Sequence, residues 1–238
     1  MPTQPGFKHH LPVIKGFIET SFVDWAGKIA AVVFLPGCNF RCPMCHNHEL
    51  GLHPEAISDY PFEIIVDSLN QHQGWIDGVC ITGGEPTNHP NLARLLEVFK
   101  GLGLPVKLDT NGSRPDVLAH LLAQGQVDYV AMDVKAQLND ISYSQVIGGP
   151  APLAGIKQSL ELIRSGGVDY EFRTTVVPGL HRLTDIQRLA EQLAGAKRWR
   201  IQNFSPARTL DPEYLARSPF SAEEFDVIKS YELGRDRI

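Results

Sequence analysis

Short apolar runs rich in β-branched residues alternate along the chain with longer stretches whose apolar residues recur at helical spacing. The short runs predict strands over residues 29–35, 78–81, 106–109, 127–133, 170–177 and 200–204. The longer stretches predict helices over residues 62–73, 91–102, 115–124, 154–165 and 184–194, with a further short helix near 221–231. A strand followed by a helix, repeated about six times, is typical of βα units around a parallel sheet.

The number of βα units predicts the architecture. About six units are fewer than the eight of a closed TIM barrel, so we expect a single α/β domain folded as a partial (β/α)6 TIM-like barrel. A flat, doubly wound sheet has the same periodicity and stays open as an alternative. We expect residues 28–205 to form the core domain and residues 1–27 to form an N-terminal leader, its prolines favouring extended chain. Residues 206–238 are expected to form a C-terminal extension packed on the core.

Polar motifs follow or close every predicted strand. In chain order they are GCNFRCPMC, TGGEP, DTNGS, MDVK, RTTVVPG and QNFSP. In parallel α/β architectures, functional sites gather at the carboxyl ends of the strands. The sequence therefore predicts one site at that end, assembled from several strand-end loops.

Composition and charge narrow the class of function. The chain carries 22 Lys and Arg against 27 Asp and Glu, a formal net charge of −5, and no basic run longer than KRWR at 197–200. This balance argues against a nucleic-acid partner, and the lack of a run of about 18 apolar residues argues against membrane insertion. The opening MPTQPGFKHHLP has no apolar signal core, so we expect a cytoplasmic protein. In that reducing compartment, clustered thiols indicate metal ligands or redox groups.

Three of the four cysteines lie within FLPGCNFRCPMCHNHE, spaced C-x3-C-x2-C at Cys38, Cys42 and Cys45. Three thiolates on one loop can converge on a single centre. A zinc site would need a fourth ligand, for which His46 and His48 are the nearby candidates. A ferredoxin cluster also uses four cysteines, whereas three would leave one iron of a [4Fe-4S] cluster without a protein ligand.

The fourth cysteine, Cys80, lies inside a predicted buried strand. We interpret it as a small core residue rather than the missing ligand. An electron carrier that recruits Cys80 is the corresponding alternative.

The stretch CNFRCPMC resembles the radical S-adenosylmethionine (SAM) superfamily, and the other strand-end motifs extend the resemblance over nearly the whole chain. The usual pattern has an aromatic residue before the third cysteine, where this chain has Met44. The resemblance implies a [4Fe-4S] cluster held by Cys38, Cys42 and Cys45. It also implies that SAM chelates the fourth iron through its amino and carboxylate groups.

The remaining motifs resemble the SAM-binding elements of this superfamily and of its glycyl-radical-enzyme activases. TGGEP resembles the family's GGE motif, which implies that Gly83, Gly84 and Glu85 hold the methionine amino end of SAM. Further SAM contacts implied by DTNGS, MDVK, RTTVVPG and the residue just beyond are Asp109, Asn111, Asp133, Lys135, Arg173 and His181. Arg173 would meet the SAM carboxylate. The structural alternatives are a plain turn for DTNG, an ion-paired strand end for MDVK, a surface arginine and a loop histidine.

Two further stretches resemble a particular group of activases. CHN after the third cysteine occurs in activases of glycyl radical enzymes, and the leader GFIETSFVDWAGK is similar to anaerobic ribonucleoside-triphosphate reductase activating proteins. Their usual Tyr-Pro-Gly is Trp25-Ala26-Gly27 here. The implied activity begins when a one-electron donor such as flavodoxin or ferredoxin reduces the cluster. SAM is then cleaved reductively, and a 5′-deoxyadenosyl radical abstracts hydrogen from a glycine of the partner enzyme.

Three other functions stay open. Within radical SAM chemistry the substrate could be a small molecule such as a nucleoside precursor. Outside it, the cysteine loop could belong to a zinc-binding interaction module or to an iron–sulfur electron carrier.

Overall fold

Seven strands form one open sheet in the computed structural model, which describes residues 11–234. They are β1 (Gly16–Ser21), β2 (Ala30–Leu35), β3 (Gly78–Gly83), β4 (Val106–Thr110), β5 (Tyr129–Asp133), β6 (Asp169–Val176) and β7 (Trp199–Asn203). Neighbours in the sheet follow chain order, with β2 to β7 parallel and β1 antiparallel to β2. The strands β1 and β7 are the two edges, so the sheet does not close.

Helices lie in the connections between the parallel strands, and the last helix follows β7. They are α1 (His48–Leu52), α2 (Phe62–Gln71), α3 (Leu92–Gly101), α4 (Pro115–Ala123), α5 (Asp140–Ile147), α6 (Leu153–Ser165), α7 (Leu183–Gln192) and α8 (Ala222–Lys229). Short 3-10 helices lie at Pro54–Ala56, Pro86–Asn88 and Pro212–Ala216. Within residues 11–234, no helix has the length and apolar character needed to cross a bilayer.

The two faces of the sheet differ, and this decides between the expected architectures. On β4, Val106 and Leu108 join the helices in one large core, while Lys107 and Asp109 face the other side. That other side also holds a small, separate apolar cluster, which consists of Trp25 and residues of the strands. Since the helices pack on one face and leave the other to polar side chains, the fold is the expected partial TIM barrel rather than a doubly wound sheet.

Alternation explains why these strands form. Val106 and Leu108 are fully buried against the helix core, which also contains Phe99 of α3. Burying a side chain of this size stabilises the fold by about 1.5–3 kcal/mol. The strand residues that face the helices therefore supply the stability, and the strand residues on the polar face are free to serve chemistry.

One strand and two α-helices of the described residues lie outside the predicted set, as do the short 3-10 helices. β1 lies within residues 1–27, the expected leader. Its residues 18–20 are all exposed, so β1 lacks the alternation that marks a half-buried strand. α1 is too short to show a period. α5 is only weakly amphipathic and is delimited by its caps, with Asn139 accepting from the Ser142 N–H at 2.9 Å and Gly148 ending it in the left-handed conformation.

The C-terminal segment contacts the sheet and the cysteine loop. Trp199 of β7 bridges to Leu233, and the Asp211 N–H donates to the Pro43 carbonyl at 2.9 Å. The first ten residues of the expected leader, with His9 and His10, and the last four residues of the expected extension lie outside the described residues.

Candidate functional site

A cavity of about 490 Å³ opens on the polar face, at the carboxyl ends of the parallel strands. Its lining includes every predicted site residue except His181, namely Cys38, Cys42, Cys45, Gly83, Gly84, Glu85, Asp109, Asn111, Asp133, Lys135 and Arg173. The strand-end loops therefore meet as the parallel topology predicts.

The cysteine loop follows β2 and places its three free thiols in this lining. The Phe40 N–H donates to Cys38 Sγ at 3.4 Å. Burial raises the pKa of all three thiols, that of Cys42 to about 11, and the positive charge of Lys135 opposes the shift. Thiolates are thus unfavourable here without a cationic centre to bind them.

The two glycines of TGGEP pack against the start of the cysteine loop, residues 35–37. The Gly84 N–H donates to the Leu35 carbonyl at 2.9 Å, and the Glu85 N–H donates to the Gly37 carbonyl at 2.8 Å. A Cβ on Gly83 would lie 2.2 Å from the Leu35 oxygen, and one on Gly84 would lie 1.9 Å from the Gly37 oxygen. The close approach that requires glycine is therefore between two backbone segments of the protein.

The carboxylate of Glu85 joins the turns that follow β3 and β4. It is 1% exposed. Its Oε1 accepts from Thr87 N–H at 3.1 Å, Thr87 Oγ1 at 2.5 Å and Thr110 Oγ1 at 2.7 Å, while Oε2 accepts from Asn111 N–H at 2.6 Å. Burial raises the pKa of Glu85, and these donors oppose the shift. Glu85 therefore orders the DTN turn as well as lining the cavity.

Asn111 forms the turn and also reaches the cysteine loop. Its Oδ1 accepts from the Ser113 N–H at 2.9 Å, as in an Asx turn, and its Nδ2 donates to Asn39 Oδ1 at 2.9 Å. Asn39 in turn donates to Ser113 Oγ at 2.8 Å. A second link comes from Asn47, whose Nδ2 donates to the Gly83 carbonyl at 3.0 Å.

Five charged side chains form a continuous row along the polar face. Lys107 Nζ lies 2.5 Å from Asp109 Oδ1, and Arg173 Nη1 lies 2.9 Å from Asp109 Oδ2. Arg173 Nε lies 2.9 Å from Asp133 Oδ1, and Lys135 Nζ lies 2.9 Å from Asp133 Oδ2. Three cations against two carboxylates leave one formal positive charge on the row. Burial opposes ionisation of Asp133, but Arg173 and Lys135 outweigh it and hold the pKa of Asp133 well below its usual range.

His181 lies behind the cavity. It is 3% exposed, its Nδ1 accepts from the Val177 N–H at 3.1 Å, and its Nε2 donates to the Lys135 carbonyl at 2.8 Å. Both ring nitrogens are thus used within the protein. The structure gives His181 a part in holding the turn of Lys135.

The histidines considered as zinc ligands contact backbone instead. His46 Nε2 lies 2.8 Å from the Ser205 carbonyl oxygen, and His48 Nδ1 lies 3.1 Å from the Cys45 carbonyl oxygen. Among residues 11–234, no three His, Cys, Asp or Glu side chains are arranged to share one metal ion. The geometry thus offers no support for a single zinc ion on this loop.

Several residues of the site were not predicted. Lys107 lies inside the predicted strand 106–109, two positions before Asp109, and that spacing puts both on one face of the strand. Asp24, Thr175 and Gln202 also line the cavity. Asp24 follows β1, which the sequence pattern did not reveal. Cys80 is fully buried, as predicted.

A profile of the radical SAM superfamily matches residues 32–193. The chain belongs to the radical SAM superfamily. The cofactors of this family are a [4Fe-4S] cluster and SAM. Three free thiols that line one cavity, one of them receiving a backbone N–H, fit three thiolate ligands of such a cluster.

Individual relatives fall into more than one activity class. A Methanocaldococcus jannaschii protein provisionally named a glycyl-radical enzyme activating enzyme is 32% identical over 213 residues, covering 85% of this chain and 84% of that protein. The 7-carboxy-7-deazaguanine synthase of Hyperthermus butylicus is 28% identical over 202 residues, covering 76% and 83%. A structure of TYW1 with a lysine-pyruvate adduct shares the fold, with a TM-score of 0.57, 16% identity and coverage of 85% and 72%.

Proposed function

We propose that this protein is an activase that cleaves SAM reductively at a [4Fe-4S] cluster and generates a glycyl radical on a partner enzyme. The first candidate for that partner is anaerobic ribonucleoside-triphosphate reductase, with a flavodoxin or ferredoxin as electron donor. The observation that carries the radical SAM part is the convergence of three thiols and the GGE turn on one cavity. The activase part is supported by the similarity to the Methanocaldococcus protein over 85% of this chain.

In this proposal Cys38, Cys42 and Cys45 hold three irons of the cluster. When bound, the cluster supplies the electron that breaks a carbon–sulfur bond of SAM. The protein supplies position and charge. The links from Asn39 and Asn47 to the turns that line the cavity keep the loop in place around the cluster.

The positive end of the site suits the carboxylate of SAM. Arg173 uses Nε and Nη1 within the row, and its Nη2 makes no hydrogen bond to the part of the chain that the structure describes. Lys135 Nζ uses one donor, on Asp133, and its charge faces the cysteine loop. A guanidinium with one free nitrogen and an ammonium with free donors are suitable partners for a ligand carboxylate.

The open side of the sheet is proposed to receive the substrate. Gln202 on the edge strand β7 and its hydrogen-bond partner Thr175 on β6, 3.4 Å away, line the cavity, and Asp24 lines it from the segment that follows the other edge strand. Neutral hydrogen-bonding groups match a polypeptide backbone, whereas the carboxylate of Asp24 disfavours an anionic small molecule. This lining supports a glycine loop of a partner protein as substrate.

A second candidate is a radical SAM enzyme that acts on a small molecule. It is favoured by the similarity to 7-carboxy-7-deazaguanine synthase over 76% of the chain. An enzyme of that kind would need no partner protein and would turn over SAM only in the presence of its small-molecule substrate.

The proposal is tested by electron paramagnetic resonance (EPR) on anaerobically reconstituted, dithionite-reduced protein. We expect a [4Fe-4S]+ signal that changes on adding SAM, and a glycyl radical signal after adding anaerobic ribonucleotide reductase. A cluster signal indifferent to SAM would support the electron carrier, and colourless protein would support zinc. SAM cleavage that responds to a nucleoside precursor and never to the reductase would replace the activase by the second candidate.

A further inference from the structure

The row of charged side chains begins at Lys107, which the proposed function leaves without a role. Lys107 is 1% exposed and does not line the cavity. Its Nζ lies 2.5 Å from Asp109 Oδ1 and 3.8 Å from Cys80 Sγ. Removing an ammonium from water is unfavourable unless it is paired, and an apolar side chain of similar volume would fill the same space without that penalty.

Lys107 and Arg173 bind different oxygens of Asp109. The Lys107 ammonium lies on Oδ1, which the Cys80 thiol also approaches at 3.6 Å, and Arg173 donates to Oδ2 through Nη1. The Nε of Arg173 lies 2.9 Å from Asp133 Oδ1 on the neighbouring strand. A guanidinium held at Nη1 and Nε by two different carboxylates has one orientation, because the group is planar.

Lys107 also sets the charge of the row. With it, three cations face two carboxylates, so the row carries one formal positive charge beside the cavity that Arg173 and Lys135 line. Without it, two cations face two carboxylates. Since these groups are buried or half-buried, solvent screens the difference only weakly.

We propose that Lys107 is a positioning residue of this site, which acts through Asp109 to orient Arg173 and to keep its charge available to an anionic group in the cavity. The identity of that group, the carboxylate of SAM, rests on the proposed function. The orientation of Arg173 does not.

Lys107→Met tests the inference, because methionine has similar length and no charge. Two quantities are measured. The first is the dissociation constant for SAM of reconstituted, cluster-loaded protein. The second is the ¹H–¹⁵N signal of Arg173 Nε in protein without cofactors, assigned by comparison with Arg173→Lys. We expect Lys107→Met to weaken SAM binding by about tenfold or more, as loss of one partner of a buried charge pair does, and to shift the Nε signal.

Two further variants separate positioning from packing. If Lys107 acts through Asp109, the double variant Lys107→Met, Asp109→Asn binds SAM no more weakly than Asp109→Asn alone. Lys107→Arg keeps the charge and should recover part of the affinity. Lys100→Met is the matched control, since it removes a lysine that is paired with Asp128 away from the cavity and should leave SAM affinity and the Nε signal unchanged.

The outcomes are distinct. A Lys107→Met protein with a lower melting temperature but unchanged SAM affinity and Nε signal would overturn the inference. Wild-type protein with a cluster but no affinity for SAM would refute the proposed function, and the Nε signal would still decide whether Lys107 orients Arg173. If Lys107→Met does not fold, Lys107→Gln takes its place, because it removes the charge and keeps a donor, and unchanged SAM affinity together with an unchanged Nε signal in that variant would again overturn the inference.

Discussion

Gly84 carries the most stringent contact of the site, and Gly84→Ala tests how the cysteine loop is held. An alanine Cβ would lie 1.9 Å from the Gly37 oxygen and 2.5 Å from its carbonyl carbon. Ordinary contact begins at 3.4 Å, so the two backbones must separate by about 1.5 Å. No side-chain rotation can relieve this overlap, since both partners are main chain.

The structure gives the expected magnitude. The separation breaks the 2.8 Å hydrogen bond from Glu85 N–H to the Gly37 carbonyl, worth about 0.5–1.5 kcal/mol. Overpacking of a rigid contact adds about 1–3 kcal/mol. We therefore expect Gly84→Ala to lower the free energy of unfolding by about 1.5–4.5 kcal/mol.

Urea unfolding followed by circular dichroism measures this difference. Gly101→Ala is the control, because its Cβ would meet nothing within 4 Å at the end of α3 and alanine favours the helix. Because Gly84 packs against the start of the cysteine loop, the Gly84→Ala protein should also assemble less cluster on reconstitution, under conditions where the protein is still folded. Unfolding free energies equal to wild type within about 0.5 kcal/mol would refute this account of the loop.

Four other predictions concern single side chains. Cys42→Ala should abolish cluster assembly measured by iron content, while Cys80→Ala should lower only stability; an unchanged cluster in Cys42→Ala would refute the ligand assignment. Glu85→Gln should weaken SAM binding more than cluster assembly, since it disturbs the Asn111 turn; calorimetric titration of SAM checks this. Asp24→Asn should lower the yield of partner radical per SAM cleaved, quantified by EPR, and an unchanged yield would remove Asp24 from the substrate side. Asp133 has a lowered pKa in the fold, so its contribution to stability is complete above the ordinary carboxyl pKa of about 4 and is lost progressively as pH falls from there toward the lowered pKa; urea unfolding of Asp133→Asn should show a shallower acid decline, and an unchanged slope would contradict the shift.

The parallel strands were predictable from the sequence because each strand packs its apolar residues on the helices. Val106 and Leu108 alternate with Lys107 and Asp109, and this period needs no knowledge of distant contacts. β1 lacked such a signal, since an edge strand with exposed residues 18–20 is defined by its pairing with β2. β1 forms because it pairs with β2, and the local pattern of apolar residues does not identify that pairing.

The site residues were predictable as a group, but their contacts were not. Motif resemblance placed Gly83, Gly84 and Glu85 at the ligand, whereas the structure shows what they also bind within the protein. Glu85 accepts from Asn111, 26 positions away, and Gly84 approaches the Gly37 oxygen. Such pairs depend on strand order and register, which composition and periodicity do not determine.

These internal contacts explain how a loop of three thiols can be ready for a cluster before one is present. Burial makes free thiolates unfavourable, so the cysteines cannot hold one another in place by charge. The order comes instead from neutral contacts to the neighbouring turns, through Asn39, Asn47 and the two glycines. The positive charge that faces the thiols comes from Lys135, at the end of the row of charged side chains. Position and charge are therefore supplied by different residues, and substitutions in one set should leave the other measurable.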